Sequence, residues 1–291
     1  MRETFELVGI RQAPEETALH RAKWWKGRPV LAAAALLFLL IGCFGCELFL
    51  DKDPGYCDLG NCNVPPGKEF LFGTDPMGRD IFSMVWAGGR VSLAVGFTAA
   101  LVSGVIAFVF GAVSGCAPSW VDGLFMRLAE ILLSVPGLLA VLLVQGLFGG
   151  ADWLRISIAV GLTSWMGIAK MVRTQVRQLR DREYVVASKC MGGGFFHILR
   201  NHLAPHFVPS VLFMAVMNIR NAIMMESTLS FMGIGLSVEA VSWGNMLSVA
   251  DKALLTKSWW IIVAPGMFLA VTLLCVTRLG DCLRTGGDIH S

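Results

Sequence analysis

The chain has 291 residues, of which 55% are hydrophobic and 15% charged, and its mean hydropathy is +0.64. An average soluble domain carries about 25% charged residues, so this composition argues against a disordered chain and against an ordinary soluble enzyme. The net charge of +3 is too small for a protein that binds nucleic acid. The sequence predicts an all-α protein that crosses a lipid bilayer several times.

Long stretches without charge determine the predicted membrane helices. A bilayer core roughly 30 Å thick needs about 20 apolar residues in a helix that rises about 1.5 Å per residue. Six stretches approach this length, and five helices would remain if the short fourth stretch were re-entrant. The six predicted helices cover 29–49, 92–116, 128–148, 153–171, 206–226 and 258–278.

The distribution of Lys and Arg predicts the orientation. With the amino terminus inside, sixteen of the 24 basic residues fall on the inner side and eight on the outer side, where the eight include Arg220 within the fifth helix. Because cytoplasmic loops of membrane proteins carry the excess of Lys and Arg, both termini are predicted to be cytoplasmic. The first helix is predicted to be retained, since it lies too far into the chain for a typical signal peptide and no small-residue cleavage site follows it.

The segments between the predicted helices give the chain its organisation. Segment 50–90 is the longest outer one, and its Pro and Gly residues predict irregular chain followed by a helix over about 77–87. A second outer segment, 227–257, is Gly-rich and apolar, which suggests a re-entrant or interfacial helix. The predicted parts are a cytoplasmic tail (1–28), the first membrane helix (29–49), an extracytoplasmic segment (50–90), the main membrane domain (91–280) with a basic inner loop (170–205), and a cytoplasmic tail (281–291).

Cysteines occur both in the outer segment and inside the predicted helices. Cys57 and Cys62 lie in the outer segment, where an oxidising compartment allows a disulfide; two free thiols are the alternative. Four others are interpreted as small apolar packing residues, namely Cys43, Cys46, Cys116 and Cys275.

The sequence contains no recognisable catalytic constellation. A phosphate-binding loop needs a Gly-Lys pair followed by Ser or Thr, whereas the pair at 67–68 is followed by Glu69. His202 and His206 have the spacing of metal ligands on one helical face, but Pro205 lies between them and no Cys or carboxylate is near in sequence. We therefore predict no enzyme activity, no metal site and no cofactor in this chain.

Two features inside the predicted helices need an explanation. Small residues recur every three or four positions along the second helix: Gly104, Ala107, Gly111 and Gly115. Such a stripe lets another helix approach closely.

Arg220 lies in the outer half of the fifth helix, where an ionisable side chain is costly. It either faces a water-filled pathway or pairs across a subunit boundary, because Glu226 is six residues away rather than four.

The basic inner loop carries the most informative pattern. Its first part, from Glu183 to Lys189, can form two helical turns, and three glycines at 192–194 break that helix. A second short helix over 195–201 ends near Pro205. Two short helices across a basic loop suit an element that docks on a partner at the membrane surface. An amphipathic linker without a partner is the alternative.

This loop resembles the EAA motif of the inner-membrane permease subunits of binding-protein-dependent ABC importers. Glu183, Ala187 and Gly192 stand at the matching positions, and Ser188 stands where a second Ala is common. The resemblance implies that the loop docks on a cytoplasmic ATPase. The residues to which it assigns this coupling are Glu183, Tyr184, Ala187, Ser188, Gly192, Gly193 and Pro205.

Further motifs are similar to those of the dipeptide, oligopeptide and nickel branch of that family, and they come in the expected order. Residues 72–80 resemble LGTDxxGRD, and residues 89–93 resemble its GxRxSL continuation. Residues 226–233 resemble ExxLSFLG, and residues 242–247 resemble SWGxML. The matching positions of the outer motif are Gly73, Thr74, Asp75, Gly78, Arg79 and Asp80. The chain departs from the pattern at 237–241, where the family often has prolines, and at the two outer cysteines.

The resemblance implies a multi-pass permease of the inner membrane that pairs with a second, homologous permease. Two P-loop ATPases would bind ATP and Mg²⁺ on the cytoplasmic side, a substrate-binding protein would dock outside, and the chain itself would hold no cofactor. Arg220 and Glu226 are the candidates for the wall of the pathway. Short peptides are the expected substrate, with nickel or a metal–chelator complex as the alternative. The competing class is a stand-alone secondary transporter, which would need an acidic residue at mid-membrane.

Overall fold

The computed structural model is almost entirely helical over the residues that it describes. Those residues are 30–48, 50, 53–150, 152–180, 182, 188, 190–191, 204–237, 240–249, 253 and 256–287. The helices are α1 (Val30–Phe44), α2 (Ile81–Cys116), α3 (Ser119–Ser134), α4 (Gly137–Phe148), α5 (Trp153–Arg180), α6 (Ala204–Phe231), α7 (Trp243–Leu247) and α8 (Trp260–Gly287). Within these ranges there is no strand, and Thr74 and Asp80 form an isolated antiparallel bridge. The all-α prediction is confirmed.

Contacts across the bundle show in which direction the helices run. Helices α2 and α5 are parallel, whereas α2 and α6 are antiparallel. The contacts that fix these directions are Val102–Gly161 and Gly115–Val176 for the first pair, and Gly96–Ile223 and Ser103–Asn218 for the second. Following the predicted orientation, we name the end of the bundle with the start of α2 the outer end and the end with its last turn the inner end.

The longest described helix is α2. It has 36 residues and is about 54 Å long at 1.5 Å per residue. It begins where the Asp80 carboxylate accepts hydrogen bonds from the backbone N–H and the hydroxyl of Ser83, at 3.2 and 2.7 Å. Such a cap satisfies an N–H group that has no partner inside the helix. One continuous helix thus replaces the two predicted at about 77–87 and 92–116, and it begins at Ile81 rather than near 77.

The third predicted helix, 128–148, is divided into two. Helices α3 and α4 meet at an angle of 95°. Between them, Val135 and Pro136 both have a ψ of 129°, outside the helical range. Pro136 explains the bend, because it has no N–H to donate and disfavours the helical conformation of the residue before it.

Two of the described helices are long and apolar enough to cross a bilayer, α2 and the Trp260–Leu283 part of α8. The bent pair of α3 and α4 is a third if it counts as one crossing, and α1 is apolar but has 15 residues. Six crossings and the orientation stay predictions. Helix α8 continues to Gly287, so it extends into the predicted tail at 281–291.

Three groups of buried apolar side chains hold the bundle together. The outer group surrounds Trp243 of α7, whose indole N–H donates to the backbone carbonyl of Val85 in α2 at 2.8 Å. The middle group joins α2, α4, α5 and α6, and the inner group joins α2 to α5. Helix α7, which has five residues, lies within the outer segment 227–257, where the sequence suggests a re-entrant or interfacial helix.

The stripe of small residues on α2 packs against α5. Ala107 is fully buried, and a Cβ at Gly111 or Gly115 would lie 2.7 Å from a side-chain carbon of α5. Gly104 differs, since no atom of the described residues outside its own helical turn would lie within 4 Å of a Cβ there. The predicted close packing is confirmed at three of the four positions. The stripe is a contact within this subunit.

Candidate functional site

The outer motif segment folds into a tight turn around Asp75. Its carboxylate accepts hydrogen bonds from the backbone N–H groups of Met77 and Arg79, both at 2.8 Å, and forms an ion pair with the Arg79 guanidinium at 2.7 Å. Gly78 has a φ of +74°, and a Cβ there would lie 1.7 Å from the backbone oxygen of Asp58. The turn therefore requires glycine at this position.

This turn contacts the first turns of α2 and α8 at the outer end of the bundle. The fully buried Thr74 donates its hydroxyl hydrogen to the carbonyl oxygen of Asn61 at 2.6 Å. Its own carbonyl oxygen accepts a hydrogen bond from the indole N–H of Trp260, the first residue of α8, at 3.2 Å. Because Asp80 caps α2 a few residues later, the motif holds the first turns of α2 and α8 side by side.

The two outer cysteines are free thiols in the structure. The thiol of Cys62 donates to the backbone carbonyl of Leu59 at 3.3 Å, and that of Cys57 donates to the carbonyl of Gly55 at 3.6 Å. Of the two alternatives that the sequence leaves open for this pair, the structure has the free thiols.

Glu226 lies in the interior of the bundle, with no exposed surface. Its Oε1 atom accepts hydrogen bonds from the hydroxyls of Ser242 at 2.8 Å and Ser230 at 3.0 Å. Its Oε2 atom accepts from Ser92 at 3.2 Å and Ser227 at 3.4 Å. We name Glu226 and these four serines the Glu226 cluster. Among the described residues, no basic side chain forms an ion pair with this carboxyl group.

The Glu226 cluster joins three motifs that are far apart in sequence, those at 89–93, 226–233 and 242–247. Within it, the Ser92 oxygen also accepts a hydrogen bond from the backbone N–H of Trp243 at 3.3 Å. Hydroxyl groups thus position the short α7 against α2 and α6. Glu226 was identified from the sequence, but its serine partners were not. The available signal was that each serine lies inside one of the recognised motifs.

Arg220 lies on a partly exposed face of α6. Its guanidinium donates to the side-chain oxygen of Asn221 at 3.0 Å, and no ion pair to Arg220 is present among the described residues. Asn221 and Thr228 are both exposed on this helix. Ile223 packs on Gly96, near the middle of α2, so this polar face lies at mid-depth in the bundle.

At the inner end, Asp122 in the first turn of α3 contacts two arginines of α5. The Nε and Nη2 groups of Arg173 donate to its two oxygens, the second at 2.5 Å, and Nη2 of Arg177 lies 3.0 Å from Oδ2. The hydroxyl of Ser114, in the last turn of α2, donates to Oδ1 at 2.6 Å. We name these four residues the Asp122 cluster. This cluster was not identified from the sequence, although an acidic residue shortly after a long apolar stretch was a usable signal.

Most of the predicted coupling loop lies outside the described residues. That holds for Glu183, Tyr184, Ala187, Gly192 and Gly193. Ser188 is described and is buried. Pro205 is the second residue of α6, in a first turn where a missing N–H costs little.

Comparison with known proteins gives the same family as the sequence motifs at 72–80, 89–93, 226–233 and 242–247. Residues 107–285 match the family described as binding-protein-dependent transport system inner membrane component. The chain is 37% identical to the dipeptide transport system permease protein of Bacillus subtilis over 226 residues, which are 78% of this chain and 70% of the relative. It is 36% identical to the oligopeptide transport system permease protein of the same organism over 258 residues, 87% of this chain and 82% of the relative. It is 31% identical to the nickel transport system permease protein of Escherichia coli over 269 residues, 91% of this chain and 95% of the relative.

Proposed function

The chain belongs to the family of inner membrane components of binding-protein-dependent transport systems, and we propose that it forms half of the pathway through which an ATP-driven importer carries short peptides. The structural observation that carries this proposal is a partly exposed stretch of α6 at mid-depth in the bundle, where the polar side chains of Arg220, Asn221 and Thr228 accompany the exposed Met224. A polar face in contact with lipid would be costly, so it calls for a water-filled pathway or a second subunit.

Peptides are the proposed substrate because two of the relatives described above are named as dipeptide and oligopeptide permeases. The nickel permease is also similar over most of its length, which keeps nickel or a metal–chelator complex as the second candidate.

Within the pathway, we assign Arg220 to the wall and Glu226 to its support. Arg220 is partly exposed, and among the described residues its enclosed Nε atom has no hydrogen-bond partner and no ion pair to it is present, so its charge is left for a group in the pathway. Glu226 is fully enclosed, so its contribution is to hold α6 and α7 in register.

The loop after α5 is assigned to the coupling with ATPase subunits. Its residues for this role are Glu183, Tyr184, Ala187, Ser188, Gly192, Gly193 and Pro205. Support comes from the EAA-like spacing and from the place of the loop between α5 and α6, both of which pack directly on α2. A bulky residue in place of Gly192, or Lys in place of Glu183, is expected to weaken ATPase binding and transport without affecting membrane insertion.

The proposal includes the partners that the motif resemblance implies. They are a second homologous permease, two P-loop ATPases that bind ATP and Mg²⁺, and an extracytoplasmic binding protein, assembled in the inner membrane. The chain itself would be a multi-pass permease without a cofactor and without enzyme activity.

The test is affinity purification of the chain from its native membrane in mild detergent, followed by identification of the co-purifying proteins. A second permease and P-loop ATPases are expected. The purified complex, reconstituted with its binding protein, should take up radiolabelled short peptides, and excess unlabelled Ni²⁺ should not compete. A chain that is recovered alone although the ATPases are expressed would contradict the assignment.

Arg220→Glu tests the pathway wall in the same complex. We expect uptake to fall tenfold or more, which corresponds to about 1.4 kcal/mol, because reversal of the charge in a water-filled pathway would repel peptide carboxylates. Arg127→Glu is the matched control, since the side chain of Arg127 is 82% exposed on α3. Equal uptake by the Arg220 variant and the wild type would remove Arg220 from the pathway.

A further inference from the structure

The Asp122 cluster connects three helices where the chain leaves the bundle for the coupling loop. Arg173 and Arg177 lie in the last two turns of α5, which continues to Arg180 through the first part of the inner loop predicted at 170–205 and ends just before Glu183. Asp122 lies in the first turn of α3, and Ser114 lies in the last turn of α2, on the other side of the corner at Ala117 and Pro118. One carboxylate therefore binds the end of α5 to the α2–α3 corner.

The geometry of this contact is restrictive. Arg173 uses two nitrogens on two carboxylate oxygens, so the relative height and rotation of α3 and α5 are both fixed. Arg177 and Ser114 occupy further acceptor positions on the same carboxylate, at 3.0 and 2.6 Å. Only 6% of the Asp122 side chain is exposed. Water therefore has little access to the carboxylate and cannot readily replace these contacts.

Close packing between α2 and α5 extends this connection along the bundle. Glycines on both helices remove the side chains that would separate them, from the Val102–Gly161 contact to the Gly115–Val176 contact. Interfaces packed this closely do not deform continuously, so the two helices shift together. Helix α2 then continues without a break to Ile81 and the outer motif.

We propose that Asp122 is a positioning residue that fastens the coupling loop, through the end of α5, to α2, so that movement of the loop reaches the outer end of the bundle. This inference rests on the proposed function, because it assumes that the loop contacts an ATPase. A buried ion pair adds little net stability compared with apolar packing. Its contribution here is a fixed geometry between three helices.

The test compares Asp122→Asn with Glu130→Gln in the reconstituted complex. Both changes remove one negative charge from α3 and keep the side-chain shape. The control residue makes only loose contacts, 3.8 Å to Arg127 and 4.0 Å to Lys170, and its side chain is 53% exposed. The measurement is the number of radiolabelled short peptides taken up per ATP hydrolysed, together with the amount of ATPase that co-purifies.

For Asp122→Asn we expect ATPase subunits in normal amounts and continued ATP hydrolysis. Uptake per ATP should fall by about 5- to 150-fold, the factor to which typical coupling free energies correspond. Asp122→Glu keeps the carboxylate and should recover part of the ratio. Glu130→Gln should match the wild type. A merely structural role would lower the yield of the complex and leave the ratio unchanged, which would overturn the proposal.

Arg177→Gln provides a second variant if Asp122→Asn does not accumulate. It removes one contact and leaves the Arg173 pair in place, so the protein should fold and the ratio should fall less. An unchanged ratio in that variant would also overturn the proposal. If the wild-type chain brought no ATPase with it, the proposed function would fail as well, whereas a coupled wild type with an unchanged variant would refute only the role of Asp122.

Discussion

Two enclosed carboxyl groups, Glu226 towards the outer end and Asp122 at the inner end, are stabilised in different ways. Four serine hydroxyls surround Glu226, whereas Asp122 contacts two guanidinium groups and one hydroxyl. Hydroxyls can rotate and can donate or accept, so the Glu226 cluster depends on shape and hydrogen bonding. Guanidinium groups only donate and always carry charge, so the Asp122 cluster depends on the carboxylate itself. We therefore predict that an amide substitution lowers the free energy of unfolding only slightly at Glu226 and more at Asp122.

The largest expected effect is that of Glu226→Ala. It leaves serine hydroxyls without a partner in a closed interior and creates a cavity, so the free energy of unfolding should fall by about 3 kcal/mol. Glu226→Gln keeps the shape and an acceptor oxygen, and the serines can turn to accept from its amide, so its loss should stay below about 1 kcal/mol. Denaturant unfolding in detergent measures both variants. Equal losses would show that the cluster needs a carboxyl group after all.

Asp122→Asn should cost more than Glu226→Gln, which is the reverse of what burial alone suggests. It leaves two arginines facing a neutral amide, but their side chains are 22% and 34% exposed and can reach water. We expect a loss of about 2 kcal/mol, below the full cost of an orphaned buried charge. The same unfolding measurement applies. If the two variants lost the same free energy of unfolding, the proposed difference between the two sites would be wrong.

Glycine substitutions on α2 test its close packing on α5, which adjoins the Asp122 cluster at the inner end. Gly111→Ala places a Cβ 2.7 Å from the backbone oxygen of Ala169 on α5, so the free energy of unfolding should fall by about 1–3 kcal/mol. Gly104→Ala is the matched control, because nothing described lies within 4 Å of its Cβ and alanine favours a helix over glycine by up to about 1 kcal/mol. A loss at Gly104 as large as at Gly111 would contradict the packing of α2 on α5.

The smallest expected effect concerns the outer segment, which precedes α2. Because Cys57 and Cys62 are free thiols, addition of a reducing agent should change the free energy of unfolding by less than about 0.5 kcal/mol. A disulfide in this position would instead contribute about 2–4 kcal/mol, which reduction would remove. Mass spectrometry after thiol alkylation checks the same point directly.

Some of this architecture follows from the sequence because it depends on residues close together in the chain. The start of α5 was predicted at 153, and α8 was predicted from 258 and begins at Trp260. The bend between α3 and α4 was also available locally, since Pro136 interrupts the hydrogen-bond ladder. The single helix predicted at 128–148 was based on the length of the uncharged stretch, and that length does not reveal where a proline interrupts the backbone hydrogen bonds.

The two clusters could not be derived in this way. Ser92 and Glu226 are 134 residues apart, and Arg173 is 51 residues from Asp122. Which acid meets which donor depends on how helices rotate and cross, and the periodicity of one helix does not contain that information. The sequence motifs identified the segments that form the Glu226 cluster but not the contacts between them. The stripe on α2 predicted close packing, whereas its partner, α5, emerged only from the fold.

The unbroken length of α2 has a mechanical consequence. A straight bar of about 54 Å that tilts by about 5° around its inner end moves its outer end by roughly 5 Å. A small rotation beside Ser114 is thereby magnified into a displacement as wide as a peptide backbone. With Asp80 capping its far end, α2 would work as a lever arm, so that an angle at the inner end of the bundle would set the position of the outer motif.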